Sequence, residues 1–161
     1  MVASSSARIE WVLLSYRMPR EPSTPRIAIW RRLKRLGVAQ ISDGLVALPL
    51  DARSREQLEW VAEAVTERGG ASAIWIGVLA SSIDELRVAS ELAGTIAKEY
   101  AAIAEEASRS RSRPPVAQRS ALRRMRRELR LVRLRDYFPP PEREVATRAV
   151  DELASLVEAE A

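Results

Sequence analysis

The sequence predicts an α+β fold, and three observations lead there. Over residues 9–79, short apolar runs rich in β-branched and aromatic residues alternate with helical repeats, in the order strand, helix, hairpin, helix, strand. An Asp43-Gly44 pair, the turn signal between two β-prone runs, joins the middle strands. Beyond residue 81 the apolar period is helical throughout. The order β-α-β-β-α-β is that of the ferredoxin-like split βαβ arrangement. The expectation is therefore a ferredoxin-like βαββαβ domain at 9–80, preceded by a flexible tail at 1–8. A helical extension at 81–161 follows it, with a basic linker at 108–115.

Each element has a local reason. Trp11 to Tyr16 read as a strand covered on both faces, which Met18-Pro19 ends because proline cannot continue a ladder. Thr24 as N-cap and Pro25 at the first helical position open a helix. Its buried face is Ile29, Leu33 and Leu36, and Gly37 supplies a left-handed C-cap. Val38–Ile41 and Leu45–Leu48 flank the Ser42-Asp43-Gly44 turn as a hairpin. Ser54 and Gln57 read as the capping box of a second helix with Leu58, Val61, Ala62 and Val65 inside, ended by Gly69-Gly70. Ala71–Leu79 is the fourth strand. Trp11, Trp30, Trp60 and Trp75 are read as core side chains rather than ligand stackers. Both helices on one face of the sheet leave the other face to be covered, a role assigned to the helical second half.

In that half, Ser82 and Glu85 read as a further capping box. Ile83, Leu86, Leu92, Ile96, Tyr100, Ile103 and Ala107 mark a helix of about seven turns. Ser108–Pro115 is serine-rich and basic and is taken as mobile. Leu122, Met125, Leu129 and Val132 then repeat at three and four residues as a coiled-coil-like seam. Asp136–Pro141 stops that helix, with Tyr137-Phe138 plugging the helical hairpin into the body. Val145, Ala149, Val150, Leu153 and Leu156 make an antiparallel partner.

Arg26, Trp30, Arg31, Leu33, Lys34, Leu36 and Gly37 stand in the pattern R-x-x-x-W-R-x-L-K-x-L-G, and Pro49, Gly69, Gly70 and RDYFPPPERE follow downstream. On these residues the chain resembles the ChrB N-terminal domain family, found in chromate-resistance regulators. More distantly it is similar to the Cas2-like middle domain of PaaX-type repressors. The resemblance implies a cytoplasmic, DNA-binding transcriptional regulator or a chromate-responsive accessory. It implies no cofactor, with the chromate oxyanion as an effector.

Charge points to the same class of partner. The chain carries 26 cations and 22 acids, a net +4. From Arg109 to Arg135 there are eleven arginines against one acid, Glu128, or +10, which leaves −6 for the rest. Such a cluster is an electrostatic footprint for a polyanion. The candidate DNA contacts are Arg31, Arg32, Lys34 and Arg35 on the first helix, and Arg123, Arg124, Arg126, Arg127 and Arg130 in the arginine run. Two plainer alternatives stand beside this one: a solvated face, or ion pairs with Glu142, Glu144, Asp151, Glu152 and Glu158. A different class of function also stays open, a non-enzymatic dimerisation module. In that homodimer the sheet edge or the 82–108 helix pairs two subunits.

Catalytic classes fare poorly. The chain has no cysteine and no histidine, which removes disulfides, thiol catalysis, Cys/His zinc sites and histidine acid–base chemistry together. No apolar run approaches the length of a membrane helix, and residues 1–8 lack the apolar core of a signal peptide, so no membrane partner is expected. A Cas2-like nuclease needs a metal-binding aspartate just after the first strand, where this chain has Arg17. Asp43, Asp51 and Asp84 read as turn and cap residues, and no glycine loop has phosphate-binding spacing. We expect no hydrolysis of DNA or RNA above background in magnesium or manganese. Cleavage that disappears on changing Asp43 or Asp51 would overturn that expectation.

Overall fold

The computed structural model describes residues 8–159. Strand β1 (Trp11–Arg17) is followed by α1 (Ser23–Leu36), β2 (Ala39–Ser42), β3 (Leu45–Pro49), α2 (Ala52–Glu67) and β4 (Ala71–Gly77). Three long helices come next: α3 (Ser82–Ser110), α4 (Pro115–Arg133) and α5 (Glu142–Ala159). The chain divides into two compact units, with the boundary inside α3 between Ala89 and Ser90. The tail expected at 1–8 lies, except for Arg8, outside the described residues. Arg8 itself is tied down, its guanidinium donating to the carbonyls of Leu79 (3.1 Å) and Ala80 (3.2 Å).

The first unit is built on one four-stranded sheet of order β2-β3-β1-β4, every neighbouring pair antiparallel. Alternate residues of a strand face opposite sides, so Val12, Leu14, Val46 and Leu48 share one face. They are buried, and Ser72 on that face donates to the carbonyl of Ala62 in α2 (3.3 Å), which marks it as the helix side. Full burial of each such side chain stabilises the fold by about 1.5–3 kcal/mol. On the other face Trp11 and Ala47 are buried, while Trp75 on the edge strand is exposed and donates its indole N–H to the Ser15 hydroxyl (2.9 Å).

The tryptophans correct the expectation of a uniformly buried set. Trp11 is 1% exposed, but Trp30, Trp60 and Trp75 are 47%, 50% and 58% exposed. The reason is position. Trp30 is one residue round the helix from the buried Ile29, Trp60 points away from the Leu58–Val61–Val65 stripe, and Trp75 lies on β4, which has one neighbour.

Several caps also differ from expectation. Helix α1 begins one residue before Thr24, and its N-cap position is Pro22, with no side-chain cap. Ser54 is the third residue of α2, not its cap. Asp51 is the N-cap: its carboxylate accepts from the Ser54 N–H (2.6 Å), and the Ser54 hydroxyl accepts from the Asp51 N–H (2.9 Å). Ser81 caps α3 by accepting from the N–H groups of Ile83 and Asp84, and Glu85 accepts from the N–H of Ile9 (2.8 Å). Gly37 does cap α1, at φ 72°, with its N–H donating to Lys34 O (3.1 Å).

In the second unit one core joins three helices. Ile96, Tyr100, Ile103 and Ala107 of α3 meet Leu122, Met125, Leu129 and Val132 of α4 and Ala146, Val150 and Leu153 of α5. The α4 seam is as the spacing predicts. On α5 the buried stripe starts at Ala146, and Val145 is exposed. The serine–arginine segment is shorter than a 108–115 linker, because Ser108–Ser110 complete α3 and Arg111–Pro114 connect it to α4. Ser110 is buried, and the Gln118 amide donates to Arg111 O (2.9 Å).

The hairpin turn yields a stability test. Gly44 has φ 72°, its carbonyl accepts from the N–H of Tyr16 (2.8 Å), and a Cβ there would collide with the Tyr16 carbonyl oxygen. Gly94, inside α3, has nothing within 4 Å of a Cβ. We expect Gly44→Ala to destabilise by about 1–3 kcal/mol and Gly94→Ala to stabilise by about 0.5–1 kcal/mol in urea unfolding. Equal shifts for the two would contradict this account.

Candidate nucleic-acid interface

Helix α4 carries the arginine run, and its seam decides where the arginines go. Pro115 lies at the first helical position, which suits its missing N–H. Gln118, Ala121, Leu122, Met125, Leu129 and Val132 face inward. At 3.6 residues per turn, Arg119, Arg123, Arg126, Arg127 and Arg130 then fall on one outer band, and all five are exposed. The band is about 16 Å long from Arg119 to Arg130 at 1.5 Å per residue. None of the five has an ion-pair partner among the described residues.

Arg124 lies to one side of this band and is engaged. Its Nη2 is 2.8 Å from Glu106 Oε1, and its Nε is 3.7 Å from Glu128. Glu106 on α3 also receives Arg113 (2.9 Å) and Arg109 (3.2 Å), and the hydrogen bond from Arg113 is the main reason its carboxyl is held below the usual range. Arg135 makes a bidentate pair with Glu99 (2.8 and 2.7 Å), which raises its affinity for the proton. The ion-pair alternative thus holds for Arg124 and Arg135, and their partners are on α3 rather than α5. From the acids of α5, Glu152 pairs with Arg111 (3.1 Å).

The basic residues of α1 divide as well. Arg31 and Arg35 are exposed one turn apart, without an ion-pair partner among the described residues. Arg32 is half-buried. The Lys34 ammonium sits 4.6 Å from the centroid of the Trp30 ring, a cation–π contact that commits its charge. These residues belong to the first unit and the α4 band to the second.

The first unit also holds a cleft of about 510 Å³ that the sequence announces only in part. Three separate segments wall it: Tyr16, Arg17 and Met18 at the end of β1, Arg26, Ile27 and Trp30 on α1, and Gln40, Asp43 and Gly44 in the hairpin. Burial, and then the nearby Asp43 charge, raise the proton affinity of the Tyr16 phenol. Arg17 and Arg26 have no ion-pair partner among the described residues. The sequence signal was present in part, since Arg26 and Trp30 are one helical turn apart. Asp43 reads as a plain turn residue until the fold brings it beside Tyr16. Among the described residues no group of three or more acidic, histidine or cysteine side chains gathers to hold a metal ion.

A family model described as "Protein ChrB, N-terminal" matches residues 26–111. The chain belongs to the ChrB N-terminal family. Protein ChrB of Cupriavidus metallidurans is 29% identical to it over 140 residues. Those residues are 84% of this chain and 42% of that protein, so the chain spans less than half the length of this relative. No solved structure matches. The stretch matched as ChrB N-terminal contains α1 from Arg26 onward and the cleft residues from Arg26 onward, and it stops just before α4. The arginine band therefore lies outside it.

Behind α4, the Tyr100 hydroxyl donates to Asp136 Oδ2 (2.8 Å), which also accepts from Arg143 (3.4 Å). Burial first, and then the hydrogen bond and charge of Asp136, push the Tyr100 phenol up to about 12. Tyr100 is neutral in the folded state well above its unfolded pKa near 10, so its contribution is complete below pH 10 and lost as pH rises through about 12. Tyr100→Phe should remove that dependence: unfolding free energy measured from pH 9 to 12 falls less steeply than in the parent. Parallel pH profiles for the two proteins would contradict it.

Proposed function

We propose that this chain is the DNA-binding part of a ChrB-type transcriptional regulator of chromate resistance, acting in the cytoplasm with chromate as effector. The observation that carries the reading is the outer band of α4, five exposed arginines without ion-pair partners among the described residues. An arginine held by a carboxylate has its charge already neutralised, whereas one facing water can replace a counterion condensed on a phosphate. The role is binding rather than catalysis. Arg17 stands where a Cas2-like nuclease would hold its metal, and the sheet order with antiparallel neighbours supports reading the first unit as ferredoxin-like.

A second reading has its own observation. Strand β4 is an edge strand, has no charged residue or proline from Ala71 to Gly77, and exposes Trp75 and Ile76. Edges left so unprotected favour pairing with another strand, here the β4 of a second copy in a homodimer. Trp75→Lys should then shift a concentration-dependent dimer toward monomer in sedimentation, and an unchanged distribution would count against the pairing.

For the DNA reading the test is salt dependence. Each phosphate contact contributes about −0.9 to the slope of log affinity against log salt, so the band should give a slope near −4.5 on promoter-length duplex. Changing Arg126 and Arg127 together to alanine should flatten that slope by about two units and weaken all sequences alike. Arg124→Ala, which removes a charge already held by Glu106, should leave the slope nearly unchanged. If the double substitution leaves the slope as it was, the band is a solvated surface and the DNA assignment fails.

A further inference from the structure

We propose that the cleft between β1, α1 and the β2–β3 hairpin is a binding site for a small nucleotide, with a phosphate at Arg17 and Arg26, a base against Trp30 and Ile27, and the base N–H donors at Asp43. The site lies in the first unit and does not rest on the α4 band.

Size and lining argue first. A volume of about 510 Å³ is that of a small-molecule pocket, and the walls are mostly apolar with a few polar groups converging on them. A bare tetrahedral oxyanion would fill a small part of it and leave Met18, Ile27 and Trp30 without a role. The ligand therefore has a flat apolar body as well as charge.

The polar groups narrow the class. Two arginines without ion-pair partners among the described residues call for an anion, and their guanidinium forks match phosphate or carboxylate oxygens. Asp43 then presents a difficulty for a simple aryl acid, because a carboxylate in the same cleft repels an anion with no donors of its own. It suits a ring that offers N–H groups, as guanine does with two adjacent donors that one carboxylate accepts together. Gln40 can serve either a donor or an acceptor beside it.

Trp30 completes the site. It is 47% exposed beside the cleft, and Lys34 over its ring steadies it. Base–aromatic stacking is the natural use of such a surface. The hairpin arm is held in place too, since Gly44 accepts from the Tyr16 N–H and leaves no room for a side chain there.

Calorimetric titration of the full chain tests this with four probes: GMP, guanosine, inorganic phosphate, and a single-stranded hexanucleotide without a terminal phosphate. GMP should bind saturably, and guanosine and phosphate should each bind at least about tenfold more weakly, since each lacks half of the recognition. Arg26→Gln and Trp30→Ala should each weaken GMP about tenfold or more, whereas Trp30→Phe keeps it. Asp43→Asn should erase a preference for GMP over AMP. Arg55→Gln, on α2 and outside the cleft, should change nothing, and circular dichroism checks that each variant is folded. Arg17→Gln replaces Arg26→Gln if the latter does not fold. Absence of saturable GMP binding at millimolar concentration overturns the proposal, as does GMP affinity indifferent to the arginine and Trp30→Ala changes. Hexanucleotide binding that Arg26→Gln abolishes, without GMP binding, overturns it also, by making the cleft part of a nucleic-acid surface.

Discussion

Strand β1 is hydrogen-bonded on both sides, to β3 and to β4, and the first unit depends on that central position. A strand with two neighbours cannot slip by one residue without turning Val12 and Leu14 from the helix side to the opposite face. The register that buries them also sets the ends of the strand. It brings Tyr16 and Arg17 next to the hairpin turn, where Gly44 closes on the Tyr16 backbone, and so the same constraint that makes the core also makes one wall of the cleft.

The second unit obeys a different constraint, the helical seam. Once Leu122, Met125, Leu129 and Val132 are committed to the core, every remaining position of α4 is assigned to a flank or to the outer band. The arginines sort accordingly. Arg124, on a flank, reaches Glu106. Arg119, Arg123, Arg126, Arg127 and Arg130 face solvent. Five arginines are therefore gathered on one side of one helix, a local excess of positive charge of the kind that attracts a polyanion. Glu106 and Glu99 neutralise the arginines nearest the core and leave that outer field intact.

Membership in the ChrB N-terminal family and the physical reading support one another at different places. The family match covers most of α1 and most of the cleft, whereas the arginine band lies past it. A binding role for α4 thus rests on its own charge geometry, whereas Arg26 and Trp30 of the cleft lie within the matched stretch.

Local signals were enough for the elements themselves. Asp43-Gly44 specified the hairpin because few residues other than glycine tolerate φ near 72° there, and the three-and-four spacing of the α4 seam specified its buried face. The serines that the spacing offers as caps stand up to a turn from the observed N-caps, since Asp51 and Ser54 share one capping box and which of them takes the cap position depends on where the preceding strand delivers the chain. Whether a tryptophan is core or surface, which arginine finds a carboxylate, and whether Asp43 is a turn residue or part of a cleft were decided only by tertiary structure. Each of those depends on a neighbour distant in sequence: Trp75 on the edge of a sheet, Arg124 on Glu106, and Asp43 on Tyr16. Period and turn chemistry act within a few residues and determine the elements, while burial and pairing are properties of the space between them.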